Sequence, residues 1–154
     1  MNYTTACAAS FLCAAALTLG PLRDRDEDRK AVERAVLDYV EAVEQGKPEL
    51  MERSVHQGLH KFGFHRQEAG AEYREIPMTY EQLVELAGKY KQAGRVPDDA
   101  EHEVELFEVL DKTASAKLTA FWGVDYMHLA KYEGKWKIVQ VLWQSPPQGG
   151  EKDE

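Results

Sequence analysis

The side chains that could do chemistry are concentrated in the last third of the chain, where Asp125, Tyr126 and His128 stand close together. A histidine and a tyrosine side by side in an apolar cavity could act as a general acid or base and a hydrogen-bond donor. Side chains alternate along a strand, so Tyr126 and His128 share one face and Asp125 points to the other. All three would line one pocket only if a β-bulge at Gly123 or Val124 re-aimed one of them. In the alternative interpretation, His128 is a hydrogen-bonded residue of a packed or dimeric face.

Aromatic side chains and a further histidine supply other candidate ligand contacts. Tyr39 falls on the apolar face of the first predicted helix, so its hydroxyl could point into a cavity, although packing is its default role. Trp122 and Trp143 end their predicted strands, where a pocket mouth or a dimer seam would lie. The candidate ligand-binding residues are Tyr39, His56, Trp122, Tyr126, His128 and Trp143, and the candidate catalytic residues are Asp125, Tyr126 and His128.

A second group of histidines, His56, His60 and His65, raises the question of a metal site. His56 and His60 have the i,i+4 spacing that would suit a metal on a helix. Gly58 between them is expected to end the helix, and neither a cysteine nor an HExxH-type glutamate accompanies them. A histidine at a helix C-terminus is also favoured by the helix dipole alone. We therefore predict no metal site.

Nucleotide chemistry is not indicated either. The chain has no glycine-rich phosphate loop, no dinucleotide fingerprint and no Ser-His-Asp motif in a recognisable context. The formal net charge of −8 repels phosphate backbones, which argues against a nucleic-acid partner. We therefore expect no cofactor and no nucleic acid.

The amino-terminal segment, residues 1–22, carries no charged side chain, and residues 6–19 form an alanine-rich apolar run. This composition predicts a secretory signal peptide whose apolar core is too short to span a bilayer comfortably. The predicted protein is exported, periplasmic or extracellular, with no stable membrane span once the leader is removed. The first five residues lack Lys and Arg, so a disordered leader on a cytoplasmic protein is the alternative. Both cysteines, Cys7 and Cys13, lie in this segment, so no disulfide framework is expected.

The remaining chain suits one domain, predicted at residues 23–144, and a Pro-, Gly- and charge-rich tail at 145–154 that is predicted to be disordered. Its first half predicts helices at about 26–45 and 48–55, the first from an apolar stripe at helical spacing. A third helix is predicted after Thr79, which forms a capping box with Gln82.

The second half has period-two patterning. It predicts strands at 102–110, 114–122, 124–132 and 135–143, after two shorter ones at 59–66 and 73–78. Helices first and an antiparallel meander last indicate an α+β domain with helices packed on one face of a curved sheet.

Four stretches resemble a known superfamily. They are VEAVEQGK at 40–47, MERSVH at 51–56, MTYEQL at 78–83, and the closing hairpin, VDYMHL at 124–129 with GKWKIV at 134–139 and VLW at 141–143. Together with the order of elements, they resemble the nuclear-transport-factor-2-like superfamily. The closest branch is that of the putative lumazine-binding proteins, with the SnoaL-like polyketide cyclases as relatives. After His56 that branch usually continues with proline and aspartate, where this chain has Gln57-Gly58.

The resemblance implies a cone-shaped fold, in which about three N-terminal helices pack on a strongly curved, mostly antiparallel sheet. It also implies a pocket between helices and sheet, and frequently a homodimer formed through the sheet. It does not select an activity, because isomerases, dehydratases, cyclases, binding proteins and transport factors share this scaffold.

Three hypotheses follow from these observations. The first is an exported domain that binds a small hydrophobic or aromatic molecule, with lumazine suggested by the resemblance only. The second is a cofactor-independent isomerase, dehydratase or cyclase in which His128 is the acid or base and Tyr126 or Tyr39 the donor. The third is a dimeric protein-interaction module that uses the face of the sheet.

Overall fold

The computed structural model describes residues 20–68 and 70–146. Within them the chain forms three helices and six strands: α1 (Gly20–Gln45), α2 (Pro48–Ser54), β1 (Val55–His65), β2 (Arg74–Met78), α3 (Tyr80–Tyr90), β3 (Glu103–Val109), β4 (Thr113–Ala120), β5 (Gly123–Tyr132) and β6 (Lys135–Gln144). The strands make one sheet in the order β2-β1-β6-β5-β4-β3. All neighbours are antiparallel except β1 and β6, which run parallel. The predicted α+β class, with helices on a mostly antiparallel sheet, is confirmed.

Helix α1 begins at Gly20, earlier than the predicted Asp26. The apolar stripe used for the prediction starts only at Val32, since Arg25, Asp26 and Glu27 are exposed. A helix start whose side chains face solvent has no apolar pattern by which it could be predicted. Residues 1–19, which hold most of the predicted signal peptide, lie outside the described residues. Among the residues that are described, no helix is long and apolar enough to cross a membrane.

The junction between α2 and β1 differs from the prediction. Helix α2 ends at Ser54, whose hydroxyl donates to the carbonyl oxygen of Leu50 at 2.9 Å, and β1 begins at Val55 rather than Leu59. Gly58 therefore lies within the strand, and the prediction that it ends a helix is wrong. Its backbone N–H donates to His56 Nδ1 at 3.0 Å, next to a register shift between Val55 and His60. Since His56 and His60 lie on a strand, the i,i+4 spacing does not place them on adjacent turns of a helix.

The bounds of the remaining strands and the start of α3 match the predictions to within about two residues, the usual uncertainty of element ends. The capping box of α3 is confirmed, since Thr79 Oγ1 accepts from the Gln82 N–H and the Gln82 side chain accepts from the Thr79 N–H. Ser145 and Pro146, which the sequence assigned to the tail, are within the described residues. Ser145 is buried, and its N–H donates to the carbonyl oxygen of Phe64 at 3.0 Å. Residues 147–154 lie outside the described part of the chain.

The core lies between the helices and the inner face of the sheet. Buried apolar side chains of α1, α2 and α3 meet those of β4, β5 and β6, among them Val36, Val40, Met51, Leu83, Leu118, Met127, Leu129 and Ile138. Strand β1 has the reverse pattern near its end, since Lys61 is buried on the inner face whereas Phe64 is exposed on the outer one. An inward lysine in a sheet core requires polar partners, and these define the candidate site.

Candidate functional site

A cavity of about 330 Å³ lies between α1, α3 and the inner face of the sheet. Its lining is mostly aromatic or aliphatic: Tyr39, Val43, Met78, Leu83, Leu86, Tyr90, Phe121, Trp122, Trp143 and Pro146. The polar lining residues are Lys61, His65, Arg66 and Ser145. An apolar cavity with a few convergent polar groups is the usual form of a small-molecule site.

Four side chains from separate parts of the chain form a buried polar cluster at this cavity. The Lys61 ammonium donates to the Tyr39 hydroxyl at 2.8 Å and to Asp125 Oδ1 at 3.1 Å. The Trp122 indole N–H donates to Asp125 Oδ2 at 2.6 Å. Asp125 is fully buried and Lys61 is 7% exposed, so the two charges neutralise each other out of reach of water. Both carboxylate oxygens have partners, as a buried charge requires.

Burial raises the pKa of the Tyr39 phenol well above its ordinary value of 10.0, and the charge of the nearby Asp125 carboxylate raises it further. The phenol therefore stays neutral at physiological pH. A neutral phenol beside an ammonium and a carboxylate can accept one hydrogen bond and donate another. The cluster thus holds a neutral phenol in a fixed position on the cavity wall.

The position of Trp143 depends on a glycine in the neighbouring strand. Trp143 pairs in register with Gly63 of β1, and a Cβ added to Gly63 would overlap both the Trp143 ring and its backbone oxygen. The bare backbone at Gly63 thus lets the indole lie between Lys61 and His65. Lys61 Nζ is 5.5 Å from the centre of the indole ring, and the ring centroids of His65 and Trp143 are 6.0 Å apart. The Trp143 indole N–H is buried and has no hydrogen-bond partner among the described residues.

The turn between β4 and β5 supplies the other aromatic wall. Trp122, predicted at a strand end, lies in this turn, and its ring meets Phe121 edge-on at a centroid distance of 4.9 Å. Gly123 follows with φ +133°, a conformation that favours glycine, and packs against the end of β6. The tight turn brings the Trp122 indole back to Asp125, three residues further along the chain.

The structure separates the predicted site residues by face. Tyr39, Trp122 and Trp143 line the cavity, and Asp125 lies directly behind its wall. Tyr126 and His128 lie on the opposite, outer face, where Tyr126 is 52% exposed. The exposed His128 ring has its Nδ1 2.9 Å from Gln140 Oε1. The alternation along β5 therefore holds, but the cavity is on the Asp125 side.

Two other candidates lie away from the cavity. His56 is outside its lining and stacks on Tyr132, with ring centroids 4.6 Å apart. His60 lies on the exposed side of β1. No group of three or more His, Cys, Asp or Glu side chains that could hold a metal ion occurs within the described ranges.

Sequence reasoning missed Lys61 and Arg66. Lys61 stands next to Phe62, and the ordinary reading of an alternating strand puts the phenylalanine inside and the lysine outside. The sequence did contain one indication of this orientation: Gly63 lies between two basic residues, Lys61 and His65, on the same face of the strand. A glycine in a strand indicates the close approach of another group, which here is Trp143.

Solved structures with a similar fold exist for several other proteins. A nuclear-transport-factor-2-like protein of unknown function from Shewanella baltica is 16% identical, with a TM-score of 0.65 over 80% of this chain and 97% of that one. A second, from Silicibacter pomeroyi, is 18% identical, with a TM-score of 0.64 over 78% and 97%. A putative scytalone dehydratase from Novosphingobium aromaticivorans is 14% identical, with a TM-score of 0.54 over 84% and 99%. At these identities the similarity shows the fold alone, which is the nuclear-transport-factor-2-like fold.

The sequence itself gives the family. The profile of the family described as putative lumazine-binding matches residues 27–144, and the chain belongs to that family. The resemblance inferred from the sequence is thus confirmed. A search of curated proteins finds no match.

Proposed function

We propose that this protein binds a small, largely apolar molecule in the cavity between α1, α3 and the sheet. The observation that carries the proposal is the cavity itself, about 330 Å³ in volume and walled mainly by aromatic and aliphatic side chains. This volume lies within the range of small-molecule sites. Burial of apolar ligand surface there would supply the main free energy of binding.

The polar groups around the cavity support recognition as well as burial. Lys61 is held by Asp125, and Tyr39 is held by Lys61, so both present fixed rather than mobile hydrogen-bonding groups. Preorganised groups lose less entropy when a ligand binds. The family description suggests lumazine, a bicyclic heteroaromatic molecule, as one compound to test.

The binding function is tested with N-phenyl-1-naphthylamine, a neutral probe whose fluorescence rises in apolar surroundings. Leu86→Trp places a larger side chain on the cavity wall and should abolish binding of the probe. Leu110→Trp makes the same change at an exposed leucine outside the cavity lining and should bind like the wild type. Equal binding by all three proteins, or binding by none, would refute the proposed cavity function. Lumazine is then titrated against the same three proteins.

The buried cluster favours a second candidate, a cofactor-independent isomerase, dehydratase or cyclase. An ammonium, a phenol and a carboxylate lie within hydrogen-bond distance of one another at the cavity. In this candidate Asp125 would be the proton acceptor, in place of the outer-face His128, and Lys61 and Tyr39 would form hydrogen bonds to the substrate oxygen. The test is deuterium exchange at the α-carbon of 1-tetralone, followed by NMR. Catalysis requires exchange faster than in buffer for the wild type and for Tyr126→Phe, and no acceleration for Tyr39→Phe.

The outer face of the sheet supports a further proposal, a homodimer formed through this face. Phe62 is in register with Leu142 and Leu142 with Tyr126, which makes an apolar row across three strands. Tyr126 and Leu142 are both exposed. Contiguous exposed apolar surface on a sheet is typical of a contact surface.

We also propose export, on the composition of residues 1–22. Cleavage at the small residues 14–16 would leave α1 whole. The intact mass of the protein recovered from its own host tests this. A mass smaller than that of the full chain by the mass of the leader supports export, and a mass that includes residues 1–22 contradicts it.

A further inference from the structure

We propose that the cavity takes an amphipathic organic anion, whose acid group lies at the mouth beside His65 and Arg66 and whose apolar body lies inside. The inference rests on the proposed binding function and names the class of ligand. A short carboxylic or sulfonic acid on an aromatic or aliphatic body has this form.

The distribution of charge around the cavity is the first support. The chain as a whole has a formal net charge of −8. Among the described residues that line the cavity, the ionisable groups other than tyrosine are Lys61, His65 and Arg66, with no carboxylate. An acidic protein thus has a cavity whose wall carries basic groups. Such a wall favours a negatively charged ligand over a neutral or positive one.

The inner basic group is already neutralised, so it does not call for an anion. Lys61 is paired with Asp125, and both are buried. Two of the three ammonium hydrogens are used by Asp125 and Tyr39. The inner end is therefore electrically balanced, and it suits an uncharged part of the ligand.

The outer basic groups are not balanced in this way. Arg66 donates from Nη2 to the carbonyl oxygen of Pro146 at 2.9 Å, and its guanidinium lies 4.8 Å from the centre of the Tyr73 ring. These contacts fix the guanidinium without neutralising it. The ion pairs formed among the described residues do not include Arg66. A planar guanidinium with N–H groups to spare is well suited to a carboxylate or sulfonate.

The spacing along β1 separates the two ends of the ligand. Lys61 and His65 are four residues apart on the same face of the strand, which corresponds to ~13 Å at the usual rise per residue. The indole of Trp143 fills the wall between them. Lys61 is buried, whereas His65 and Arg66 are half-buried at the end of the strand. An acid group would thus keep partial contact with water while an aromatic body lies along Trp143.

The test compares 2-naphthoate with 2-naphthalenemethanol, which have the same ring system with and without a negative charge. Their affinities are measured by titration calorimetry at one low ionic strength. The wild type should bind the acid on the order of 10-fold more tightly than the alcohol, the usual worth of one charged hydrogen bond. The double variant His65→Gln/Arg66→Gln should lose that preference, so that it binds the acid and the alcohol with equal affinity. Arg29→Gln, an exposed arginine of α1 outside the cavity lining, is the matched control and should behave like the wild type.

Equal affinity of the wild type for acid and alcohol would overturn the inference and leave the binding function standing. A preference for the acid that survives the double variant would also overturn it, because the charge would then be recognised elsewhere. Binding of neither compound would count against the proposed binding function, and the inference would fall with it.

Discussion

Lys61 and Asp125 form a buried ion pair, with 3.1 Å between Lys61 Nζ and Asp125 Oδ1, on either side of an intervening strand. Lys61 belongs to β1 and Asp125 to β5, and β6 lies between these strands. On β6, Trp143 is in register with both Asp125 and Gly63. The pair thus ties three strands together at the point where the cavity begins.

Removing one member of this pair should destabilise the fold strongly. Asp125→Leu leaves the Lys61 ammonium buried without its carboxylate, and we expect the free energy of unfolding to fall by about 3–5 kcal/mol. The double variant Lys61→Met/Asp125→Leu should recover more than half of that loss, because no uncompensated charge remains. Urea denaturation of both variants measures this. A double variant no more stable than Asp125→Leu would contradict the expected coupling.

The raised pKa of Tyr39 predicts a loss of stability at alkaline pH. Only the unfolded chain ionises this phenol near its ordinary pKa of 10.0, so its contribution to stability is present below about pH 10 and lost as pH rises toward the folded-state pKa. The difference in unfolding free energy between wild type and Tyr39→Phe should shrink by about 1.4 kcal/mol per pH unit in that window. Urea denaturation of both proteins from pH 8.5 to 11 measures it. A constant difference would show that folding does not shift the pKa of Tyr39.

Gly63 should not tolerate a side chain. A methyl group there overlaps the Trp143 ring and its backbone oxygen, so we expect Gly63→Ala to cost about 1–3 kcal/mol and to weaken probe binding in the cavity. Gly88→Ala is the matched control. Gly88 lies within helix α3, and a Cβ added to it would be 3.7 Å from Pro48 Cγ, which is an ordinary van der Waals contact. We therefore expect Gly88→Ala to raise the free energy of unfolding by about 0.5–1 kcal/mol. Thermal unfolding of both variants decides, and a Gly63→Ala protein with wild-type stability would argue against the close approach of Trp143.

The proposed dimer can be tested through the exposed row on the outer face. Leu142→Asp places a charge at the centre of that row, and we expect it to convert the dimer into a monomer in size-exclusion chromatography with light scattering. Leu110→Asp makes the same substitution at an exposed leucine outside the row and should leave the dimer intact. A wild-type protein that is monomeric at micromolar concentration would refute the outer-face dimer.

The sequence predicted the arrangement of elements better than it predicted the site. The apolar stripe of α1 correctly placed Tyr39 on the inner face, and the period-two pattern correctly put Asp125 and Tyr126 on opposite faces. What the pattern could not show is which face of β5 meets the helices. Asp125 is buried only because Lys61, 64 residues away in the chain, compensates its charge. The local sequence pattern around Asp125 does not identify a partner so far away in the chain.

The orientation of strand β1 could not be predicted from its sequence either. Its phenylalanines face outward and Lys61 inward, against the usual order of apolar inside and charged outside. The reversal is stable because Asp125 and Tyr39 accept hydrogen bonds from the Lys61 ammonium, while Phe62 lies beside Leu142 on the outer face. The sequence of β1 alone favours the opposite orientation.

The most direct test of the cavity as a binding site is native mass spectrometry of the protein purified from its own host, beside the Leu86→Trp variant prepared in the same way. The proposed function predicts that the wild type carries a small organic molecule that is released on unfolding, and that the variant does not. A wild type with no bound mass, or an equal bound fraction in both proteins, would contradict it.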